Sequence, residues 1–163
     1  MPISKLSCLR LLFLGLGAWV ALAVPAAAQR SGLTWGKGSH NATYSVDTVG
    51  CGSCDPYVGD TLCNQSLPIL CIRQDASPNP GVATSFYNGW AAGHIHLTPP
   101  QVGTSLGSLA NADAICTSYF GPGYRMAEFH DGSGGWAWQA YGNVNAAFRF
   151  WLYINDQPAN CWN

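Results

Sequence analysis

The chain has 163 residues, with 9% charged, 48% hydrophobic and a formal net charge of −1. One domain is the expected content at this length. The apolar share excludes a disordered chain, and the missing basic surplus excludes a general nucleic-acid binder. Glycine (19) and proline (10) are too frequent for a helical bundle and point to a domain rich in loops and strands.

Lys5 and Arg10 flank the start of an uncharged apolar run, Leu11 to Val24, and Pro25 leads into Ala26-Ala27-Ala28. These are the parts of a secretory signal peptide, and the run is shorter than the roughly 20 residues a spanning helix needs. Residues 1–28 are therefore expected to be a signal peptide cleaved after Ala28. The expected location is secreted or periplasmic, with no membrane span once the signal is removed.

Residues 29–43 are polar and glycine-rich and read as a flexible leader; residues 44–163 read as a single disulfide-bonded globular domain. Within it, residues 44–49 alternate like a strand, 50–66 form a cysteine-rich loop, and 67–73 form a short apolar strand. After a Pro/Asn/Gly loop at 74–84, residues 86–97 are aromatic and extended. Leu106, Leu109, Ala112, Cys116, Tyr119 and Phe120 then recur at helical spacing. Ser105 or Ser108 can cap that helix and Gly121 can end it. Residues 124–129 and 136–141 read as strands around a turn at 130–135. Residues 148–155 (FRFWLYIN) are the best strand. Phe148, Phe150, Leu152 and Ile154 form its core face, with Arg149, Trp151, Tyr153 and Asn155 on the other. If that second face borders a groove, Arg149 is expected to contact Glu128 or Asp131. The expected fold is α+β: a twisted antiparallel sheet, one principal helix and long disulfide-pinned loops.

Beyond the signal, Cys51, Cys54, Cys63, Cys71, Cys116 and Cys161 remain. An even count in an exported chain reads as three disulfides, and 15 connectivities are open. Cys116 lies on the helix's apolar stripe and so points into the core. The C-x-x-C at Cys51–Cys54 lacks the helix start that a redox motif needs, which favours structural disulfides. Cys51, Cys54, Cys63 and Cys71 could instead bind zinc, but thiols in an oxidising compartment pair.

His94 and His96 share a strand face at metal-ligand spacing, with His130, Glu128 or Asp131 as a third ligand for a divalent metal; the simpler reading is two part-exposed histidines. Glu128 and His130 could form a general base with its partner; the simpler reading pairs Glu128 with Arg125 or Arg149. Trp136, Trp138, Tyr141, Trp151 and Tyr153 crowd the last part of the chain. Such rings either fill a core or form a surface for a sugar face.

The stretch Leu109 to Phe129, with its cysteine-bearing helix, glycine stop and short strand, resembles C-type-lectin-like domains. Phe150 to Ile154 resembles the aromatic strand of that fold, and Gln157-Pro158 the Gln-Pro pair of its calcium and sugar loop. The resemblance implies a long-range Cys116–Cys161 disulfide; the other four cysteines can then pair among themselves, and a short Cys54–Cys63 loop, with Cys51–Cys71, is the favoured choice. It also implies calcium and a sugar ligand, although Ala159 stands where the family has an acidic residue. The whole chain after the signal also resembles a group of exported bacterial proteins without an assigned activity. The leading expectation is an exported, non-enzymatic module that binds a glycan or a protein surface through Trp136, Trp138, Tyr141, Arg149, Trp151 and Tyr153. The alternative is a small exported hydrolase or metal-dependent enzyme using His94, His96, Glu128 and His130, with calcium or zinc as the metal.

Overall fold

A computed structural model describes residues 30–163; the expected signal peptide at 1–28 lies outside the described residues. In chain order the strands are β1 (Ser31–Gly32), β2 (Thr34–Asn41), β3 (Val46–Gly50), β4 (Thr61–Leu62), β5 (Ser66–Leu67), β6 (Leu70–Gln74), β7 (Gly89–Leu97) and β8 (Gln101–Val102). Helices α1 (Gly103–Leu106) and α2 (Leu109–Phe120) follow, then β9 (Arg125–Met126), β10 (Ala137–Tyr141) and β11 (Phe150–Trp151). Seven strands form one sheet in the order β11-β2-β3-β10-β7-β6-β9. The α+β class is as expected. The sheet departs from the antiparallel expectation at one place, where β10 runs parallel to β7.

The expected leader at 29–43 is instead largely sheet. Leu33 and Trp35 are fully buried, and β2 pairs with both β3 and β11. Polar composition hid this, because only the first part of β2 turns apolar side chains inward; its far half, Gly38 to Asn41, is exposed.

Alternation of side chains across the strands divides two cores. In β6, Leu70 and Ile72 enter one apolar cluster with Trp35, Trp138 and Phe150. Cys71, between them, faces a second cluster with Leu106, Ala112, Cys116 and Trp151. The same division splits the expected best strand. Phe150, Leu152 and Ile154 line the first core, as read from the sequence, while Trp151 is buried in the second. Regular pairing shortens to Phe150–Trp151, and Phe148, ahead of it, is 53% exposed rather than core. Helix α2 closes the second core: Ser108 Oγ accepts the Asn111 backbone N–H at 3.1 Å, Ala112 and Cys116 are its buried residues, and Gly121 takes a positive φ at the C-cap.

The disulfides are Cys51–Cys54, Cys63–Cys161 and Cys71–Cys116. None of the expected pairs, Cys116–Cys161, Cys54–Cys63 and Cys51–Cys71, is formed. Cys116 does point into the core, but the cysteine that meets it there is Cys71 on β6, at a Cα separation of 5.6 Å. The C-terminal tail instead passes beside Gly32 and Gly103, where a side chain at either position would strike Cys161 Sγ. Thr104 N–H bonds the Cys63 carbonyl at 2.7 Å, so the same corner brings Cys63 to Cys161. Three disulfides fit an extracellular or otherwise oxidising compartment. No helix among the described residues is long and apolar enough to cross a membrane.

Candidate functional site

The turn His130–Gly135 carries β9 into β10 and is built from glutamate outward. The Glu128 carboxylate is nearly buried and accepts three donors: His130 N–H at 2.5 Å, His130 Nδ1 at 3.0 Å and Asn155 N–H at 3.2 Å. Asp131 accepts the Glu128 N–H at 2.7 Å and pairs with Arg125. Burial disfavours the Arg125 charge, but the Asp131 carboxylate outweighs it and holds the guanidinium pKa above its ordinary value. The expected pairing of Glu128 with Arg125 or Arg149 is thus replaced by Glu128–His130 and Arg125–Asp131. Arg149 bonds Asp60 at 3.0 Å and Thr34, not Glu128 or Asp131.

The turn is backbone-strained. Ser133 has φ +83° and Trp136 φ +68°, with Gly135 at +76° between them. Such left-handed non-glycine residues cost energy and collect at functional sites. Glycine is required at 135 for a second reason, since a side chain there would enter the Phe129 ring. The result is to stand Trp136 outward, 41% exposed, against the edge of Phe129 at 5.7 Å. His130 packs against the same ring at 4.9 Å.

Between them opens a groove of about 210 Å³, lined by Tyr57, Phe129, His130, Trp136, Asp156 and Gln157 among others. Tyr57 is 59% exposed. With Nδ1 held by Glu128, Nε2 of His130 has no hydrogen-bond partner among the described residues. Trp136 also lines a neighbouring groove of about 250 Å³ with Lys37, Cys51, Gly52 and Arg149.

The other expected contact residues scatter. Trp138 and Trp151 are 0% and 1% exposed, so neither is a surface ring. Trp138 Nε1 donates to the Glu128 carbonyl and Trp151 Nε1 to the Gln101 carbonyl, which satisfies their polar atoms inside. Tyr141 is half-buried, edge-on to Trp90 and stacked on His94. Tyr153 is half-buried over the second core, and that burial raises its phenol pKa.

The expected metal set does not assemble. His94 stacks on Tyr141 and meets Ser77 and Asp75; His96 stacks on Phe120 at 5.0 Å; His130 is held by Glu128. Among the described residues no group of three His, Cys, Asp or Glu side chains is placed to hold a metal ion. A wider depression of about 630 Å³ lies beside His40, but His40 is engaged with buried Asp47, which also holds Lys37 and the Val144 N–H.

Tyr57 escaped the sequence reading, and Phe86 and Tyr87, read as the start of an extended stretch, instead form an exposed aromatic pair in the turn before β7; all three are strongly exposed. Gly134 packs against the Phe86 backbone, which sets Phe86 and Tyr87 beside the groove turn. Compared with family models, with curated proteins and with solved structures, the chain shows no match.

Proposed function

We propose that the protein is an exported binding module that takes a glycan in the groove between Trp136 and Tyr57. The observation that carries this reading is Trp136: a large ring on strained backbone, exposed over a groove with polar walls. A flat ring gives the apolar face of a sugar a stacking surface. Asp156, Gln157 and the free Nε2 of His130 supply hydrogen-bonding groups for hydroxyls beside it. The C-type-lectin-like resemblance, whose implied Cys116–Cys161 pair is replaced by Cys71–Cys116 and Cys63–Cys161, adds no support here, and the reading rests on the groove. A protein surface is the other partner such a groove accepts, with Tyr57, Phe86 and Tyr87 as its aromatic rim.

A second, enzymatic reading is favoured by one observation, the Glu128–His130 pair. A buried carboxylate on Nδ1 orients a histidine as a general base through Nε2. In this reading Glu128 and His130 act without His94 and His96, whose neighbours are elsewhere. A glycan array probed with wild type and Trp136→Ala tests the binding reading. The variant should lose about tenfold or more in affinity, equivalent to roughly 1.4 kcal/mol. A wild type that binds no glycan on the array, or a variant that binds as tightly, sinks it. Product release from an array glycan, abolished by His130→Ala, would favour the enzymatic reading instead.

A further inference from the structure

We propose that the Cys51–Cys54 disulfide is a reversible clamp on the groove wall, opened by an external dithiol. As regulation of ligand capture this rests on the binding reading above; as a clamp it can be tested without ligand.

The three disulfides differ in setting. Cys63, Cys71, Cys116 and Cys161 are 2%, 0%, 0% and 6% exposed, within the helix-side core. Cys51–Cys54 spans only three positions: Cys51 is itself 3% exposed, in the other core, but Cys54 is half-buried and Gly52 and Ser53 between them are exposed. Thiol–disulfide exchange requires a thiolate to reach a sulfur, and Cys54 offers the most accessible one.

The position of this bond gives it leverage. Cys51 N–H donates to the Trp136 carbonyl at 2.8 Å, so the loop starts from the backbone of the exposed ring. From Cys54 the chain continues through Asp55, whose carboxylate accepts the N–H groups of Tyr57 and Val58. This turn presents Tyr57 to the groove opposite Trp136. The segment returns to the sheet only at Asp60, whose N–H bonds the Gly32 carbonyl. Residues 52–59 are held at the far end by that bond and by Gly59 packed on the Ser31 backbone, between the ends by buried Pro56 and the Gly59 N–H to Asp55 carbonyl bond, and at the near end by the disulfide and the Cys54 N–H to Cys51 carbonyl bond.

The chemistry is complete with a dithiol as reductant. One of its thiolates attacks Cys54 Sγ, the Cys51–Cys54 bond breaks, and Cys51 leaves as a thiolate. The second thiolate of the reagent attacks the mixed disulfide and expels the Cys54 thiolate. Two electrons pass to the cysteines, two protons complete their thiols, and the reagent is left as a disulfide.

The test is graded reduction of the native protein with dithiothreitol, alkylation and peptide mass spectrometry, followed by amide hydrogen exchange. Cys51 and Cys54 should be labelled at least tenfold faster than the other four cysteines. Exchange across residues 52–58 should then rise at least tenfold while β3 and β6 hold. A Cys51→Ser/Cys54→Ser variant should reproduce that rise without reductant. Equal labelling of all three disulfides, or unchanged exchange at 52–58 after selective reduction or in the double variant, overturns the clamp. Retention on the glycans that bind the oxidised protein should fall on reduction; equal retention overturns the gating. If the oxidised protein binds no glycan, the binding reading fails while the exchange data still decide the clamp.

Discussion

Trp151 and Trp136 are the same residue type put to opposite uses. Trp151 sits in the core beneath α2, beside Cys71–Cys116 and Cys63–Cys161, disulfides that join segments 45 and 98 residues apart. Trp136 stands on a strained turn beside Cys51–Cys54, a disulfide that joins residues only three apart. One end of the molecule is tied across the whole chain; the other is tied only to itself. Long-range closure and dense burial make the first end a source of stability. Strain, exposure and local closure leave the second open to the ligand proposed for it.

The sharpest test of this contrast is to remove a disulfide from each end. Replacing Cys63 and Cys161 together should cost about 4–5 kcal/mol in urea unfolding, as expected for a loop of nearly a hundred residues. Replacing Cys51 and Cys54 should cost less than half of that, because a short loop limits the unfolded chain little. Equal losses would erase the distinction between the two ends.

The tryptophans supply the next comparison. Trp151→Ala should lose about 3–5 kcal/mol, the cost of a cavity in a closed core. Trp136→Ala should stay within about 1 kcal/mol of wild type, as surface substitutions do, with its effect in glycan binding instead. Denaturant midpoints of the two variants measure the difference. A Trp136→Ala loss as large as that of Trp151→Ala would make the turn part of the core.

The third comparison concerns how tightly the turn holds His130. Glu128→Gln keeps the shape of the side chain but weakens the bonds to His130 and Asn155, which are charge-assisted in wild type. A loss of about 1–2 kcal/mol is expected. The 15N chemical shifts of the His130 ring should report a changed tautomer balance. Unchanged shifts would show that Glu128 does not orient the ring.

The smallest effect belongs to pH. His96 is exposed on one side, but partial desolvation against Phe120 and Tyr124, with repulsion from His94 and Arg73, holds it below its ordinary value of 6.5. The unfolded chain therefore takes up the proton first as the pH falls. The His96 contribution to stability is fully present above pH 6.5 and is lost as the pH drops from there through the folded-state value. Thermal melts across that window should show the slope, and His96→Asn should flatten it. A slope of the opposite sign would mean that His96 gains rather than loses by protonation in the fold.

Much of the local structure was legible from residue order. Spacing located α2 and its Gly121 end, with Ser108 as one of two caps offered and Leu106 falling in the separate α1; aromatic extended runs located β7 and β10, and alternation located the core side chains Phe150, Leu152 and Ile154. These are short-range properties: a helix period or a strand alternation is written in neighbouring residues. Disulfide partners are not. Cys116 could be read as inward-facing, but which cysteine it meets depends on β6 lying under α2. The fate of the rings was hidden for the same reason. Trp138 and Trp151 lie in strands and are covered by residues far away in the chain, whereas Trp136 stands on the left-handed backbone of the turn. A polar opening segment likewise became β2 because β3 and β11 were there to pair with it. Contacts made across long sequence distances have no local signature, so the buried rings, the two long-range disulfides and the groove appear only once the sheet has closed.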